Sequence, residues 1–215
     1  MTKIIDMARE AWKSVSSAVA LLMWKMIEVP SRSRTVTHEA GHALIAWTSS
    51  TVTRITAIAI GATNDIETVG FTNYVTFYRH DPEAPHDLWE LCAISLAGLA
   101  AEEVVYGFFI PELAKTDLQK ASQRAKQIVI NEEECKQRTC PWGDLRLEEV
   151  RIDFVWRAFV DSQPDRRQEI LNICYSRALK MLRAERSRLD ALGAAIAAKK
   201  RLNTADIEAI LGKRS

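Results

Sequence analysis

Two histidines and one glutamate within residues 35–47 have the types and the spacing of a metal site. His38 and His42 lie four residues apart, so both imidazoles project from one face of a helix with 3.6 residues per turn. Two imidazoles in that position can bind one Zn²⁺, and Glu39 can reach a water molecule held on the metal. The apolar neighbours predict a packed helix in which Gly41 allows another backbone to approach closely. We therefore expect a Zn²⁺ cofactor that needs a further protein ligand.

The third ligand has two candidates among the remaining residues. A catalytic zinc normally has three protein ligands and keeps its fourth position for water. One candidate is the pair Glu102 and Glu103, and the other is Asp117; all three lie on predicted helices. Since both candidates offer carboxylates from helices, residue types and spacing alone leave the choice open.

A second pair of histidines, His80 and His86, is a weaker candidate for metal binding. Both lie in a stretch with two prolines, which predicts a loop over residues 80–86. No helical or strand register brings the two imidazoles to one face, so a second metal site is not the favoured interpretation.

The composition is that of a globular protein without an electrostatic preference for nucleic acid. The 215 residues are 47% hydrophobic and 27% charged, enough to bury a sizeable core. A formal net charge of +1 gives no reason to expect a nucleic-acid partner. The four cysteines lack the paired spacing of zinc ligands, which predicts reduced thiols and a cytoplasmic location.

Residues 3–29 predict one amphipathic helix, because apolar residues recur at spacings of three and four. The longest stretch without a charge, residues 14–24, is too short to span a bilayer. Bulky side chains such as Trp12 and Trp24 could contact a membrane surface or a partner, although the helix has few cationic residues for a membrane. Packing on the protein's own domain is therefore the favoured interpretation. We assign 1–32 to this helix and a linker, and 33–215 to one domain.

The rest of the chain predicts a mainly α-helical domain with a small β-hairpin beside the motif helix. Alternating β-formers predict strands at 52–60 and 66–78, joined by turn residues at 61–65. Prolines, glycines and capping residues set the remaining boundaries. The predicted elements are a linker at 30–34, the motif helix ending near 49–50, a helix at 87–106, a helix capped by Thr116 and ending near 131, an irregular stretch at 132–146 with a solvated acidic run, and helices from 164, at 189–198 and at 204–211.

Several motifs occur in one order along the chain. They are His-Glu-Ala-Gly-His at 38–42, Val-Gly-Phe-Thr at 69–72, Leu-Ala-Gly-Leu-Ala-Ala-Glu-Glu at 96–103 with Tyr-Gly at 106–107, Thr-Asp-Leu-Gln-Lys-Ala at 116–121, and the C-terminal segment 202–211. Together they resemble the peptidase domain of FtsH-type proteases, the membrane-anchored, ATP-dependent AAA zinc metalloproteases. The resemblance extends from about residue 33 to residue 211.

This resemblance implies a helical zinc metallopeptidase fold and a specific ligand set. The family's third zinc ligand is the Asp of its Asp-Leu-Gln motif, which implies His38, His42 and Asp117 as ligands and Glu39 as the catalytic base. The resemblance also implies unfolded polypeptides as substrates and an ATPase as a partner. Because the family's peptidase domains form hexameric rings, it further implies a homo-oligomer.

The chain departs from the family pattern in several places. Leu99 stands where the family usually has an Arg, and Lys115 and Thr116 precede Asp117 where the family commonly has Ser-Asn. No Gly-x-x-x-x-Gly-Lys-Ser/Thr phosphate-binding motif occurs in the 215 residues. We therefore expect the ATPase and the membrane anchor to be absent from this chain, and the helix at 3–29 to be a candidate dock for a separate ATPase or a membrane surface.

The function predicted from these residues is a zinc-dependent endopeptidase acting on unfolded or flexible proteins, cytoplasmic or peripheral to a membrane. Zn²⁺ would lower the pKa of a bound water toward ~7, and Glu39 would transfer its proton to the leaving amine. One alternative is an FtsH-like module that binds or regulates with a partner ATPase, although all four chemical positions are present. Another is a structural zinc site, which would normally close its fourth position with Cys or His.

Overall fold

The computed structural model describes residues 31–61, 70–76, 85–136, 140–142 and 166–214, and these residues form a mainly α-helical domain with one small sheet. In chain order the elements are α1 (Ser31–Thr48), β1 (Val52–Ile60), β2 (Gly70–Thr76), α2 (Pro85–Tyr106), a 3₁₀ turn (Pro111–Ala114), α3 (Lys115–Cys135), α4 (Arg166–Ala184), α5 (Arg186–Lys199), β3 (Arg201–Asn203) and α6 (Thr204–Leu211). The predicted fold class is confirmed.

Helix α2 forms the centre of the core. Every residue from 87 to 102 is buried, so this helix has no solvent face along most of its length. It packs against α1, α3 and α4, with Trp89, Ile94 and Leu96 almost completely enclosed. A helix that is covered on all sides needs apolar residues around its whole circumference, which explains the apolar run in the sequence of α2.

Helices α1 and α2 approach closely at Gly41. A Cβ atom on Gly41 would lie 2.5 Å from both the carbonyl oxygen of Ala97 and the Cβ of Ala101. Only a residue without a side chain allows this separation, as the sequence predicts. The close approach brings the histidine-bearing face of α1 onto α2.

The sheet has the strand order β2-β1-β3, and both pairings are antiparallel. The predicted hairpin is confirmed where it is described, with Val52 opposite Thr76 and Ile60 opposite Gly70. The third strand was not predicted. Its Leu202 pairs with Ile58, and a strand of three residues depends on such a partner rather than on its own propensity.

Two predicted helix starts are too late, because the tertiary contacts extend the helices. Residues 31–34, predicted as a linker, are the first turn of α1, where Arg34 is buried. Helix α2 begins at Pro85, a residue that the first turn of a helix tolerates. The Asp87 side chain accepts a hydrogen bond from Thr51 Oγ1 at 2.7 Å, which ties this turn to the start of β1.

Helix α3 begins before and ends after the predicted boundaries. Its N-cap is Ala114, so Thr116 lies inside the helix and the predicted Thr116 cap is wrong. The acidic run at 132–134 is helical, and Glu132 is buried rather than solvated. Glu132 accepts two hydrogen bonds from Arg166 of α4, at 2.8 and 2.7 Å, which raise the pKa of Arg166. Arg166, which pairs with this buried carboxylate, lies on another helix, so the local sequence pattern of α3 could not predict the pair.

The C-terminal elements follow the prediction closely. Helices α5 and α6 contain the predicted 189–198 and 204–211, and Asn203 caps α6 through a capping box with Asp206.

The four cysteines are free thiols. Among the described helices, none is long and apolar enough to cross a membrane. The predicted helix at 3–29, most of the turn at 61–65 and His80 lie outside the described residues.

Candidate metal centre

Three side chains converge where α1 meets the start of α3. The Nε2 atoms of His38 and His42 lie 3.1 and 3.4 Å from Asp117 Oδ2. One donor atom from each residue lies within 4.8 Å of the others, and no other such cluster of three occurs in the described ranges. Two ligands bound at about 2.0–2.1 Å in a tetrahedral site are ~3.3 Å apart, so these distances suit Zn²⁺.

Each imidazole is oriented by a hydrogen bond at its Nδ1 atom. His42 Nδ1 lies 2.7 Å from the carbonyl oxygen of Ile94, and His38 Nδ1 lies 2.8 Å from Glu102 Oε1. A carbonyl can only accept, so His42 carries its proton on Nδ1 and presents the Nε2 lone pair to the cluster. Zinc-binding histidines typically donate their other N–H to a carboxylate or a carbonyl in this way. The donor set and its surroundings therefore fit a zinc ion.

The position of His38 depends on Gly98 of α2. A Cβ atom at residue 98 would lie 2.4 Å from His38 Nε2 and 2.5 Å from its Cδ2. The backbone of α2 is thus in direct contact with the imidazole, and any side chain at this position must displace the ring.

We expect Gly98→Ala to reduce zinc affinity strongly, because the new methyl group occupies the space of the His38 ring. Titration of the purified variant with a chelator of known affinity measures the change. Gly193→Ala is the matched control, since a Cβ there makes only an ordinary 3.6 Å contact with Val36. Wild-type zinc affinity in Gly98→Ala would contradict the placement of His38.

The Glu39 side chain lies against the sheet. Its carboxylate is buried, and Thr72 Oγ1 of β2 donates to Glu39 Oε2 at 2.8 Å. Gly70 lies against the same side chain, since a Cβ there would be 2.6 Å from Glu39 Cγ. Strand β2 therefore holds the carboxylate in one orientation. The contact of Thr72 with Glu39 was not predicted, although the alternation of β2 places Gly70 and Thr72 on one face.

The two other candidate carboxylates have different partners. Glu102 Oε1 contacts Nδ1 of His38, and Glu102 Oε2 is ion-paired with Arg34. Glu103 accepts a hydrogen bond from the hydroxyl of Tyr175 at 2.7 Å. Of the three candidate carboxylates, that of Asp117 is the one that lies close to both histidine Nε2 atoms.

Protons and a metal ion would compete for the side chains of this cluster. Burial opposes a charged His38, but its hydrogen bonds with Asp117 and Glu102 raise the pKa of His38 to about 10. Burial likewise opposes a charged Asp117, but the two imidazoles lower the pKa of this carboxyl well below its usual range. Zinc binding must release the bound protons, because metal ligands are deprotonated.

We expect zinc to stabilise the protein more at pH 9 than at pH 6. A raised pKa for His38 stabilises the metal-free fold fully below about 6.5, and this contribution is lost as the pH rises toward about 10. The lowered pKa of Asp117 stabilises above about 3.8 and is lost only in acid. The measurement is Tm with zinc and with chelator between pH 6 and pH 9. A zinc-induced increase in Tm that stays constant or becomes smaller from pH 6 to pH 9 would contradict the assignment of His38 and Asp117 as zinc ligands.

His86 has no part in this centre. Its imidazole is half exposed in the first turn of α2, and its Nδ1 lies 3.8 Å from Asp87 Oδ1. The loop prediction is therefore wrong for residues 85 and 86. His80 is not among the described residues, so a site shared by His80 and His86 stays the disfavoured alternative.

Comparison with known proteins finds one family model that covers the motif helix, β1, β2, α2 and most of α3. The model of peptidase family M41 matches residues 25–132. The ATP-dependent zinc metalloprotease YME1 homolog of Schizosaccharomyces pombe is 29% identical over 163 residues, covering 75% of this chain and 22% of that protein. The ATP-dependent zinc metalloprotease FtsH of Thermobaculum terrenum is 28% identical over 213 residues, covering 87% and 30%. FtsH of Rhodothermus marinus is 24% identical over 199 residues, covering 88% and 27%. The chain thus spans less than a third of the length of these relatives.

Proposed function

The chain belongs to peptidase family M41, and on this premise we propose that it is a zinc-dependent endopeptidase that cleaves unfolded or flexible polypeptides. The observation that carries the proposal is the convergence of His38, His42 and Asp117 beside Glu39, a carboxylate that stays outside the cluster. Three ligands leave one position for water, which distinguishes a catalytic from a structural zinc site.

Each residue has a distinct role in the proposed reaction. His38, His42 and Asp117 hold the ion. When bound, Zn²⁺ supplies polarisation of the scissile carbonyl and an attacking water of lowered pKa. Glu39 accepts the proton of that water at one carboxylate oxygen and later delivers it to the leaving amine. Thr72 donates to Glu39 Oε2, which leaves Oε1 as the oxygen that transfers the proton.

Strand β2 is the proposed docking edge for the substrate. Among the described strands it pairs on one side only, with β1. Its Thr72 contacts Glu39, so an extended peptide along the free edge would pass the catalytic carboxylate. Main-chain pairing of this kind tolerates many side-chain sequences, which suits a peptidase of unfolded proteins. Phe71 and Val75, about 44% and 42% exposed, offer apolar contacts beside that edge.

We expect the purified 215-residue chain to cleave an unstructured protein in the presence of zinc, with no effect of ATP. A stable folded domain should resist, because opening it costs up to its global stability, ~5–15 kcal/mol. The measurement is the rate of peptide-bond cleavage for casein-like unstructured and for folded substrates, with and without ATP and chelator.

Three results of this experiment would count against the proposal. Stimulation by ATP alone would reveal a nucleotide site that the sequence does not show. Rapid digestion of the folded domain would remove the unfolding requirement. Stoichiometric zinc without any cleavage would favour the module that binds or regulates.

An ATPase partner is included in the proposal because the three relatives are named as ATP-dependent enzymes. Such a partner would deliver unfolded segments to the β2 edge. The homo-oligomeric ring, the contact of residues 3–29 with a membrane surface and the cytoplasmic location stay predictions.

A further inference from the structure

Arg34 is a buried cation on the helix that carries the metal-binding histidines. It lies four residues before His38, so the two side chains occupy the same face of α1. Its side chain is about 2% exposed. A guanidinium stays charged in proteins, and a buried charge persists only when it is paired. The partner of Arg34 therefore decides what this residue does.

That partner is the carboxylate that orients His38. Arg34 Nη1 donates to Glu102 Oε2, and the other oxygen, Glu102 Oε1, lies 2.8 Å from His38 Nδ1. The guanidinium is also held over the rings of Tyr106 and Phe108, at 5.1 and 4.8 Å from their centroids. A carboxylate engaged on both oxygens cannot rotate without breaking one contact.

We propose that Arg34 is a positioning residue for the metal centre, acting through Glu102. By holding Oε2, it keeps Oε1 on His38 Nδ1 and so aims His38 Nε2 at Asp117, 3.1 Å away. The proposal rests on the zinc site described under the proposed function.

The competing role for Arg34 is purely structural, as a filler between α1 and the end of α2. The two roles differ in their dependence on Glu102. A positioning residue that acts through Glu102 loses its effect on the metal once Glu102 can no longer orient His38. A structural residue changes metal binding equally with and without that carboxylate.

The test is a double-mutant cycle of Arg34→Met and Glu102→Leu on the full chain, read by zinc affinity and by the absorption bands of bound Co²⁺. Leucine is used because a glutamine could still accept the hydrogen bond from His38. Loss of an outer hydrogen-bonding partner typically lowers metal affinity by ~10–100-fold, and we expect this range for each single variant. Adding Arg34→Met to Glu102→Leu should lower affinity by less than about twofold more, since the contact between residue 102 and His38 is already lost. Arg34→Lys should restore most of the affinity. Arg183→Met is the matched control, because Arg183 lies near the neighbouring Glu103, at 3.9 Å.

Two results would overturn the proposal. One is wild-type affinity and an unchanged Co²⁺ spectrum in Arg34→Met. The other is the same fold-loss from Arg34→Met in both backgrounds. If Arg34→Met does not fold, the double variant, which leaves no unpaired buried charge, is compared with Glu102→Leu: a difference below about twofold supports the proposal, and a further ~10–100-fold loss overturns it. If Glu102→Leu does not fold, Arg34→Met is compared with Arg34→Lys: a ~10–100-fold loss that Lys restores supports the proposal, and equal losses in both overturn it. A wild-type chain without zinc would instead contradict the proposed function.

Discussion

Glu39→Gln will keep its zinc and its fold but lose peptidase activity by about 10²–10⁴-fold, the contribution that a positioned general base typically makes. An amide cannot accept the proton of the attacking water. The replacement is otherwise conservative, because the amide oxygen can still accept the hydrogen bond from Thr72. The measurement is the initial rate of cleavage of an unstructured protein by enzyme of verified zinc content.

The matched control is Glu133→Gln, the same chemical change at an exposed position of α3. It should leave the rate unchanged. Near wild-type hydrolysis by zinc-loaded Glu39→Gln would show that another group takes the proton.

Asp117→Ala will lower zinc affinity by more than the ~10–100-fold that loss of an outer partner costs, because it removes a proposed metal ligand. The carboxylate lies within about 3.4 Å of both Nε2 atoms, so its loss opens one side of the cluster. Peptidase activity should fall with the metal. Chelator competition and metal analysis of the purified protein measure the effect.

Two neighbouring carboxylates provide the comparison for this variant. Glu102→Gln should show the smaller loss typical of an orienting contact, because an amide has one oxygen and cannot accept from both His38 and Arg34. Glu103→Gln should bind zinc normally, because its partner is Tyr175 and an amide still accepts that hydrogen bond. Zinc retained in Asp117→Ala but lost from Glu103→Gln would reverse the ligand assignment.

The sequence by itself determined the relative placement of His38, Glu39 and His42 on the motif helix. The relation between His38, Glu39 and His42 depends only on helical geometry, and residues four apart share a face in any α-helix. The β-forming residues of β1 likewise predict this strand from local composition. Elements with a strong local period or composition were therefore predicted correctly, whereas the close approach at Gly41 also needs α2.

The third carboxylate was beyond local pattern. Glu102, Glu103 and Asp117 all lie on helices, and spacing left them equivalent, so only the family resemblance favoured Asp117. The pairing of His38 with Asp117 spans 79 residues of chain. Such a contact depends on how α1 and α3 each pack on α2, which no single helix encodes.

Buried charges were the systematic failure of sequence reasoning. Arg34 was assigned to a linker and Glu132 to a solvated run, because charged residues are usually exposed. In the structure each is paired with a residue far along the chain, Arg34 with Glu102 across 68 residues and Glu132 with Arg166 across 34. Residue type and period tell which face of a helix is apolar. Which charge meets which partner inside the core is decided only when the helices pack, because the stabilising contact does not exist until both elements are in place.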